Sequence, residues 1–314
     1  MAKVLITGVC GFIGSSIARA LQAEGATVRG IDNISSGKIA NLDGIRSQVE
    51  LIRADICDRD AVAAACEGID LVFHQAAIAS VAASVEDPVG TNESNLGGTL
   101  YVLEAARKAG VKRLLYAASA AAYGDEPTLP KRETMLPQPI SAYAVQKLAG
   151  EHYLASYAKV FGLETVALRY FNVFGPRQDP ASVYSGVLAR FIAQMSKGET
   201  PTVFGDGSTS RDFVYIDDVV SANLLAARTK AAVSGKVFNV ATGRSTTLLE
   251  AYEEIKRVMG YSGGINFAPE RDGDIKHSLA DISLARQTFG YEPKADFRYG
   301  LEKTIEWALS GVGP

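Results

Sequence analysis

Cysteine, histidine and long apolar runs are scarce in this chain of 314 residues. Its three cysteines and three histidines are scattered without the spacing of a metal site, so we expect no bound metal. An odd number of unpatterned cysteines indicates reduced thiols and favours a cytoplasmic protein. No apolar run reaches the length of a membrane span, and the segment after Met1 does not resemble an export signal.

An excess of charge of one sign is also lacking. The 32 Lys and Arg residues stand against 35 Asp and Glu residues, which leaves a formal net charge of −3. Such a chain has no surplus of cations to neutralise the phosphates of a nucleic acid or of a membrane surface. Hydrophobic residues make up 47% and charged residues 21% of the sequence, which excludes a disordered or collagen-like chain.

Short apolar runs alternate with helical patterns through the first half of the chain. The strand-like runs are 3–7, 27–31, 49–52, 71–74, 113–116 and 165–168. The segments with apolar spacing near 3.6 include 17–23, 61–66 and 96–109. This alternation predicts an α/β protein with a doubly wound parallel sheet of the Rossmann type.

After about residue 170 the pattern loosens into stretches rich in Gly, Pro and Asp. A further strand-like run at 237–240 could rejoin the first sheet. We therefore expect a dinucleotide-binding domain over 1–171, rejoined by about 212–242, and a smaller, interleaved substrate domain over 172–314.

Three glycines follow the first predicted strand directly. Gly8, Gly11 and Gly14 have a GxxGxxG spacing and precede a predicted helix. Such a loop permits a tight turn and a close approach of the backbone to a pyrophosphate, which the positive end of the helix attracts. Glycines in a turn also occur for backbone reasons alone, so the loop by itself does not decide the ligand.

Asp32 ends the second predicted strand. At this distance from the glycine loop a carboxylate can accept hydrogen bonds from the two hydroxyls of an adenine ribose. The same carboxylate would repel a 2′-phosphate, so we expect NAD rather than NADP. The alternative is that Asp32 is a turn residue beside Asn33.

Tyr143 and Lys147 have an i, i+4 spacing on one face of a predicted helix. The pKa of a phenol, normally about 10, must fall by roughly 3 units, or about 4 kcal/mol, before it can act as a base near neutrality. A neighbouring ammonium group lowers that pKa. The pair is a candidate catalytic site, although the same spacing is common on solvated helix faces.

Segment 116–124 closes the fifth predicted strand, at the sheet edge where ligands of open parallel sheets bind. Together with the glycine loop and the Tyr-Lys pair, this segment resembles the NAD-dependent sugar epimerase/dehydratase family of extended short-chain dehydrogenases/reductases, over essentially the whole chain. In that family a serine at the position of Ser119 shares a proton with the catalytic tyrosine. The resemblance therefore implies a catalytic set of Ser119, Tyr143 and Lys147.

The resemblance also implies which residues bind the two ligands. The expected NAD-binding residues are Gly8, Gly11, Phe12, Ile13, Gly14, Asp32, Asn33, Asp55, Ile56, Gln75, Ala76, Ala77, Asn95, Tyr143, Lys147 and Tyr170. The expected residues that bind a UDP-sugar are Ser119, Tyr143, Asn172, Val187, Leu188, Arg211, Arg271, Asp274 and Ser278. Among these, the amide of Asn172 and the two arginines would hold the diphosphate, and Asp274 would bind the uridine ribose.

Two positions bear on the reaction and the sugar. Dehydratases of the family carry acids after the fifth strand, where this chain has Ala120 and Ala121, so the resemblance favours 4-epimerisation. At the position of Ser278 a tyrosine restricts relatives to UDP-glucose and UDP-galactose, and a serine leaves room for an N-acetyl group. With this serine, the chain resembles bacterial UDP-N-acetylglucosamine 4-epimerases.

The implied reaction begins when Tyr143, helped by Ser119, takes the proton of the sugar 4-hydroxyl while NAD accepts the C4 hydride. The 4-keto sugar then turns over and the hydride returns to its opposite face, so NAD stays bound. The chain departs from its relatives at Ala120 and Ala121, where serines are common, and at Gln146, where Ser or Thr is usual. Lost hydroxyls could weaken binding of the sugar or change the proton path.

Two alternatives stay open at this point. One is a UDP-glucose 4-epimerase without activity on N-acetyl sugars. The other is a non-catalytic, NAD-sensing regulator on the same fold, since fold alone does not fix function.

The family usually forms homodimers through two helices, and we expect the same here. Candidate residues for the apolar seam, which could equally belong to the core, are Leu100, Leu103, Ala106, Leu148, Tyr153 and Tyr157.

Overall fold

The computed structural model describes residues 2–179, 186–270 and 275–310. Its strands, in chain order, are β1 Lys3–Thr7, β2 Thr27–Asp32, β3 Val49–Arg53, β4 Leu71–His74, β5 Arg113–Ser119, β6 Glu164–Tyr170, β7 Asn172–Phe174, β8 Thr202–Phe204, β9 Ser210–Arg211, β10 Phe213–Tyr215, β11 Lys236–Val240, β12 Thr246–Thr247 and β13 Asn266–Ala268.

The α-helices are α1 Phe12–Ala23, α2 Arg59–Cys66, α3 Val81–Glu86, α4 Pro88–Asn92, α5 Gly98–Lys108, α6 Ala142–Phe161, α7 Val187–Ser196, α8 Ile216–Arg228, α9 Leu248–Met259, α10 Ser283–Phe289 and α11 Phe297–Leu309. Short 3₁₀ turns cover Ile39–Leu42, Arg46–Gln48 and Ala120–Tyr123. A π-helical turn, Glu93–Gly97, leads into α5, so the helix predicted over 96–109 has an irregular first part.

Seven strands form one parallel sheet in the order β11-β6-β5-β4-β1-β2-β3. After β1, each strand enters the sheet by a crossover that contains an α-helix or, before β3, two 3₁₀ turns. The order is that of a Rossmann sheet with one further strand at the β6 edge. The α/β fold with a doubly wound parallel sheet is therefore confirmed.

Both faces of the sheet are covered, which explains why its strands are almost continuously apolar. Along β1, the side chains of Val4 and Ile6 join a core cluster that also includes residues of α1 and α8. Leu5, between them, joins a second cluster with residues of α2, α5 and α6. The alternation along one strand thus builds two cores back to back.

Parallel strands place their carboxyl ends at one edge of the sheet. Thr7, Asp32, His74, Ser119 and Tyr170 are the last residues of β1, β2, β4, β5 and β6, and they lie along that edge. Polar side chains that are far apart in sequence are thereby gathered into one strip.

The chain leaves the sheet after β6 and returns at β11, which pairs with β6 in parallel. Between and after these strands, short ladders join β7 to β10, β9 to β12 and β8 to β13. The division into two domains remains a prediction. Within the described ranges, no helix is both long and apolar enough to cross a membrane.

Candidate active site

The glycine loop connects β1 to α1 with little room for side chains. Gly8 has a left-handed φ of +69°, and a Cβ atom there would lie 2.8 Å from the amide nitrogen of Ala76. A Cβ atom on Gly14 would clash with the carbonyl oxygen of Gly8. Because α1 starts at Phe12 in this compact turn, its free N–H groups and positive end are open to an anion. The loop fits a pyrophosphate.

Asp32 is held in place by the loop that it faces. Its Oδ2 accepts a hydrogen bond from the Cys10 amide (2.8 Å), and its Oδ1 accepts one from the Ile34 amide (2.7 Å). Burial raises the pKa of the Asp32 carboxyl, while these two bonds oppose the rise. Each carboxylate oxygen can accept a further hydrogen bond, which leaves capacity for a ribose diol.

A cavity of about 230 Å³ opens beside the loop and Asp32. It is lined by these residues expected to bind NAD: Gly8, Gly11, Asp32, Asn33, Asp55, Ile56, Gln75, Ala76 and Ala77. It is also lined by residues that were not foreseen: Ile31, Ser35, Ser36, Gly37, Ala54, Ile78 and Ser94. For Ser35, Ser36 and Gly37, their polar, glycine-containing sequence so soon after Asp32 is the signal that could have revealed them.

Other residues expected at the NAD site support the cavity from behind. Phe12 and Ile13 are partly buried against the larger core cluster. Asn95, in the π-helical turn, accepts a hydrogen bond from the Ile78 amide (2.7 Å) and donates one to the Ile78 carbonyl (3.1 Å). It thereby fixes the backbone of a cavity-lining residue. Irregular turns of this kind recur at functional sites.

The candidate catalytic residues converge at the end of β5. The Nζ atom of Lys147 donates a hydrogen bond to the Ala117 carbonyl (2.9 Å) and lies 6.0 Å from the centre of the Tyr143 ring. Ser141 caps the helix start by accepting from the Ala144 amide, which fixes the first turn that carries Tyr143. The three side chains of the predicted set are thus neighbours.

Burial changes the acidities of this set. It lowers the pKa of the Lys147 ammonium group to about 7, which nearby Glu151 opposes. It raises the pKa of the Tyr143 phenol, while a hydrogen bond with Ser119 lowers it. A base at Tyr143 therefore depends on positive charge close by, because desolvation alone holds the phenol protonated.

A buried histidine joins the glycine loop to the helices behind it. The Nδ1 atom of His74 is 2.7 Å from the Thr7 hydroxyl, and its Nε2 atom is 2.9 Å from the Thr99 hydroxyl. The Thr99 hydroxyl donates to the Asn95 carbonyl (2.6 Å), so Nε2 of His74 carries the proton and donates to Thr99. Burial lowers the pKa of His74 to about 3, and the ring stays neutral.

Gln146, an unusual residue for its position, joins the same network. Its Oε1 accepts a hydrogen bond from Asn95 (2.8 Å), and its Nε2 donates one to the Thr91 hydroxyl (3.0 Å). Its side chain thus ties α6 to α4 and the π-helical turn. Gln146 is not one of the described residues that line the cavity at Tyr143. Gln146 supports the Asn95 side of the site.

Tyr170 stands at the end of β6 between the two ligand regions. Its hydroxyl lies 3.2 Å from the Gln75 amide nitrogen and accepts a hydrogen bond from Asn223 (2.8 Å). Burial raises the pKa of Tyr170 to about 12, so the phenol remains neutral. The ring forms a fixed wall beside Tyr143.

Two further cavities meet next to the catalytic set. The first, of about 520 Å³, is lined by Ser119, Ala120, Ala121, Tyr143, Tyr170, Phe171, Asn172, Arg211, Ile275, Ser278, Val81, Val85, Ile140 and Ser141. The second, of about 490 Å³, is lined by Val187 and by residues of α7 and β8. Asn172 and Arg211 line both, so they stand where the cavities join.

The remaining residues expected at the substrate site have different positions. The Leu188 side chain is 2% exposed and belongs to the core, in contrast to its neighbour Val187. Arg271 and Asp274 lie outside the described residues. A metal site is not formed by the described parts of the chain, which contain no group of three or more possible His, Cys, Asp or Glu ligands.

Asp212, beside Arg211, organises the substrate side, and its role was not foreseen. Its Oδ1 accepts hydrogen bonds from the amide and hydroxyl of Thr242 (2.8 and 2.6 Å), and its Oδ2 accepts from the amides of Gly243 (2.9 Å) and Ala280 (3.2 Å). One buried carboxylate therefore fixes the segment that presents Ser278.

Comparison with known proteins agrees with this geometry. Residues 4–241 match the model of the NAD dependent epimerase/dehydratase family. The chain belongs to that family. It is 38% identical over 309 residues to a UDP-glucose 4-epimerase of Mycolicibacterium smegmatis, which covers 97% of this chain and 98% of that protein.

Solved structures of family members superpose closely on the chain. A UDP-N-acetylglucosamine 4-epimerase of Methanobrevibacter ruminantium, in complex with UDP-N-acetylmuramic acid, has a TM-score of 0.94 and 40% identity over 99% of both chains. A UDP-glucose 4-epimerase of Thermus thermophilus, in complex with NAD, has a TM-score of 0.89 and 38% identity over 97% of this chain and 98% of that one. The family, the fold, the cofactor NAD and the class of enzyme that the sequence predicts are confirmed.

Proposed function

We propose that this family member is a UDP-hexose 4-epimerase that interconverts UDP-N-acetylglucosamine and UDP-N-acetylgalactosamine and also accepts UDP-glucose and UDP-galactose. The observation that carries the proposal is the convergence of Ser119, Tyr143 and Lys147 beneath a cavity bounded by Ser278. Relatives named as 4-epimerases of both kinds of sugar support it.

In this proposal Tyr143, as phenolate, takes the proton of the sugar 4-hydroxyl. Ser119 passes that proton on or holds it by hydrogen bonding, and the charge of Lys147 stabilises the phenolate. NAD, when bound, supplies the acceptor for the C4 hydride and returns it after the sugar has turned. Asp32 would hold the adenine ribose of NAD, and the glycine loop its pyrophosphate.

The junction of the two larger cavities suits the diphosphate of the substrate. Asn172 and Arg211 line both cavities, and a guanidinium group pairs well with phosphate oxygens. The uridine would then occupy the cavity beside Val187, and the hexose the one above Tyr143. By family resemblance, we assign Arg271 to the diphosphate and Asp274 to the uridine ribose.

The lining of the hexose cavity favours loose contact with the sugar. Ala120 and Ala121 offer no hydroxyl, and Ser278 is small and half-buried. A 4-keto sugar must rotate between the two hydride transfers, so weak contacts with the hexose and firm contacts with the phosphates suit the reaction. The room at Ser278 supports acceptance of an N-acetyl group.

The test is conversion of UDP-N-acetylglucosamine and of UDP-glucose by the purified protein, without added NAD and with products separated by chromatography. Turnover of the N-acetyl sugar at least equal to that of UDP-glucose supports the proposal. Turnover of UDP-glucose alone supports the first alternative. If neither sugar reacts with NAD supplied, while NAD binds, the regulator reading replaces the enzyme.

We further propose that the protein is a cytoplasmic homodimer that pairs through α5 and α6. Along α6, Val145, Tyr153 and Val160 are 51%, 39% and 66% exposed, which leaves an apolar stripe at helical spacing. Three residues considered for the seam, Leu103, Ala106 and Tyr157, are instead buried within the chain. Light scattering on a sizing column tests the dimer, and Tyr153→Glu should shift it to monomer.

A further inference from the structure

Two loops from distant parts of the chain meet beside the cofactor cavity. The Lys38 Nζ atom lies 2.7 Å from a carboxylate oxygen of Asp179. Lys38 directly follows Gly37, which lines that cavity, and Asp179 lies in the segment that follows β7. We propose that Lys38 and Asp179 form a clasp that slows the release of NAD.

On the cofactor side, the clasp is attached to the glycine loop. The Lys38 amide donates a hydrogen bond to the Cys10 carbonyl (2.9 Å), and the Asn41 side chain donates a second one to the same oxygen (2.8 Å). Cys10 in turn donates its amide to Asp32. Lys38 is therefore bonded directly to the glycine loop and, through Cys10, to the Asp32 carboxylate. It also adjoins Gly37 in the cavity wall.

On the substrate side, the loop before Asp179 is held against α1. Arg177 donates a hydrogen bond from Nη2 to the Ser16 hydroxyl (3.1 Å). Its φ of 72° lies in the left-handed region, which is unfavourable for a residue with a side chain and marks a backbone held by its surroundings. The loop follows β7, whose first residue, Asn172, lines both substrate cavities.

Together these contacts form a closed ring of residues beside the cofactor cavity, which Gly37 and the glycine loop line. The ring runs from the glycine loop through Lys38 to Asp179, and back to α1 through Arg177. The Lys38 and Asp179 side chains are 37% and 25% exposed, so salt should weaken their attraction. An enzyme that must return a hydride to the same substrate molecule benefits from a slow release of its cofactor.

The inference rests on the proposed position of NAD in that cavity. The experiment loads the purified enzyme with radiolabelled NAD⁺ and follows its exchange against excess unlabelled NAD⁺. We expect Lys38→Ala and Asp179→Ala each to speed the release about 2- to 5-fold, the range for a partly exposed ion pair. The charge exchange Lys38→Asp with Asp179→Lys should restore the rate to within about 2-fold of wild type.

Two controls separate the possible failures. Lys112→Ala breaks an ion pair of similar length with Asp70 (2.8 Å), away from the cofactor, and should leave the release unchanged. Asp32→Ala should speed release more than either clasp variant. Single clasp variants that release NAD⁺ like wild type, or a charge exchange as fast as the singles, overturn the clasp. If Asp32→Ala also has no effect, the proposed NAD position falls with it.

Discussion

The cofactor side and the hexose side of the site are built differently. Around the proposed NAD cavity the polar side chains are already held, as Asp32 is by two backbone amides and Asn95 by both polar groups of Ile78. In the proposed hexose cavity, beside the fixed Tyr170 ring, Ala120 and Ala121 are small and offer no side-chain hydrogen bond, and Val85 is 71% exposed. In the proposed function, this difference gives a fixed cofactor beside a loosely held sugar, which suits epimerisation.

The largest effect is expected from removal of the Tyr143 hydroxyl, which we expect to serve both the cofactor and the sugar. Tyr143→Phe should reduce epimerisation about 10²- to 10⁴-fold, because it removes the proposed acceptor of the 4-hydroxyl proton. NAD content, measured on the denatured protein, should stay at the wild-type level. Tyr153→Phe, on the same helix, is the matched control. Retained activity in Tyr143→Phe would show that the base lies elsewhere.

Asp212 is the exception on the substrate side, because its carboxylate accepts four hydrogen bonds. Asp212→Asn replaces an acceptor by an NH₂ group that faces backbone N–H donors, and should lower the free energy of unfolding by about 3 kcal/mol. Urea denaturation measures the loss. Asp206→Asn, at an exposed turn, should cost less than about 0.5 kcal/mol. Equal effects would place Asp212 among the ordinary surface acids.

The burial of Lys147 at the candidate catalytic site should lower the free energy of unfolding near neutral pH. Its pKa of about 7 in the folded chain lies below the value of about 10.4 for an unfolded lysine, so between these values the unfolded state binds the extra proton. Wild-type stability should therefore rise relative to Lys147→Met between pH 7 and pH 10, by on the order of 3 kcal/mol. Lys159→Met is the control on an exposed part of α6. A flat difference would contradict the burial effect.

Ser278 tests the looseness of the hexose side. Ser278→Tyr should reduce turnover of UDP-N-acetylglucosamine at least about 10-fold, because the ring fills the room for the N-acetyl group, while UDP-glucose turnover changes less than about 3-fold. Competition between the two sugars in one reaction measures the ratio directly. Ser278→Ala keeps the space and should keep the wild-type preference. Equal loss of both sugars in Ser278→Tyr would indicate damage to the whole site.

The smallest effect is expected from the floor of the hexose cavity. Ala120→Ser and Ala121→Ser each add a hydroxyl that the sugar could use, and should lower KM about 2- to 5-fold, the value of one ordinary hydrogen bond. The value of kcat should fall or stay constant, since tighter contact with the hexose hinders its rotation. A rise in kcat would argue that the missing hydroxyls limit the chemistry.

Sequence patterns predict the cofactor side better than the substrate side. Gly8, Asp32 and Ser119 each stand at the end of a strand or directly after one, and parallel pairing sends all such ends to one edge. Asp212 and Ala280 could not be connected in this way. Their contact depends on how irregular segments pack against each other, and the pattern of apolar residues in the sequence does not predict that packing.

Helical periodicity also does not determine which of two neighbouring side chains faces a cavity and which faces the core. Val187 and Leu188 are adjacent in α7, yet one lines a cavity and the other is buried in the core. Gln146 looked like a departure at the active site but turns toward Asn95. Successive residues differ by about 100° around a helix, so a one-residue difference decides between solvent cavity and core.

The pairing of β11 with β6 predicts how the protein behaves when its chain is cut. The excursion between these strands leaves from one strand and ends on the next, so the sheet fastens it at both ends. A cut at the exposed turn Lys197-Gly198 would leave one fragment with six strands of the sheet and a second fragment with β11. Such halves should reassemble, because the parallel pairing of β11 with β6 joins them.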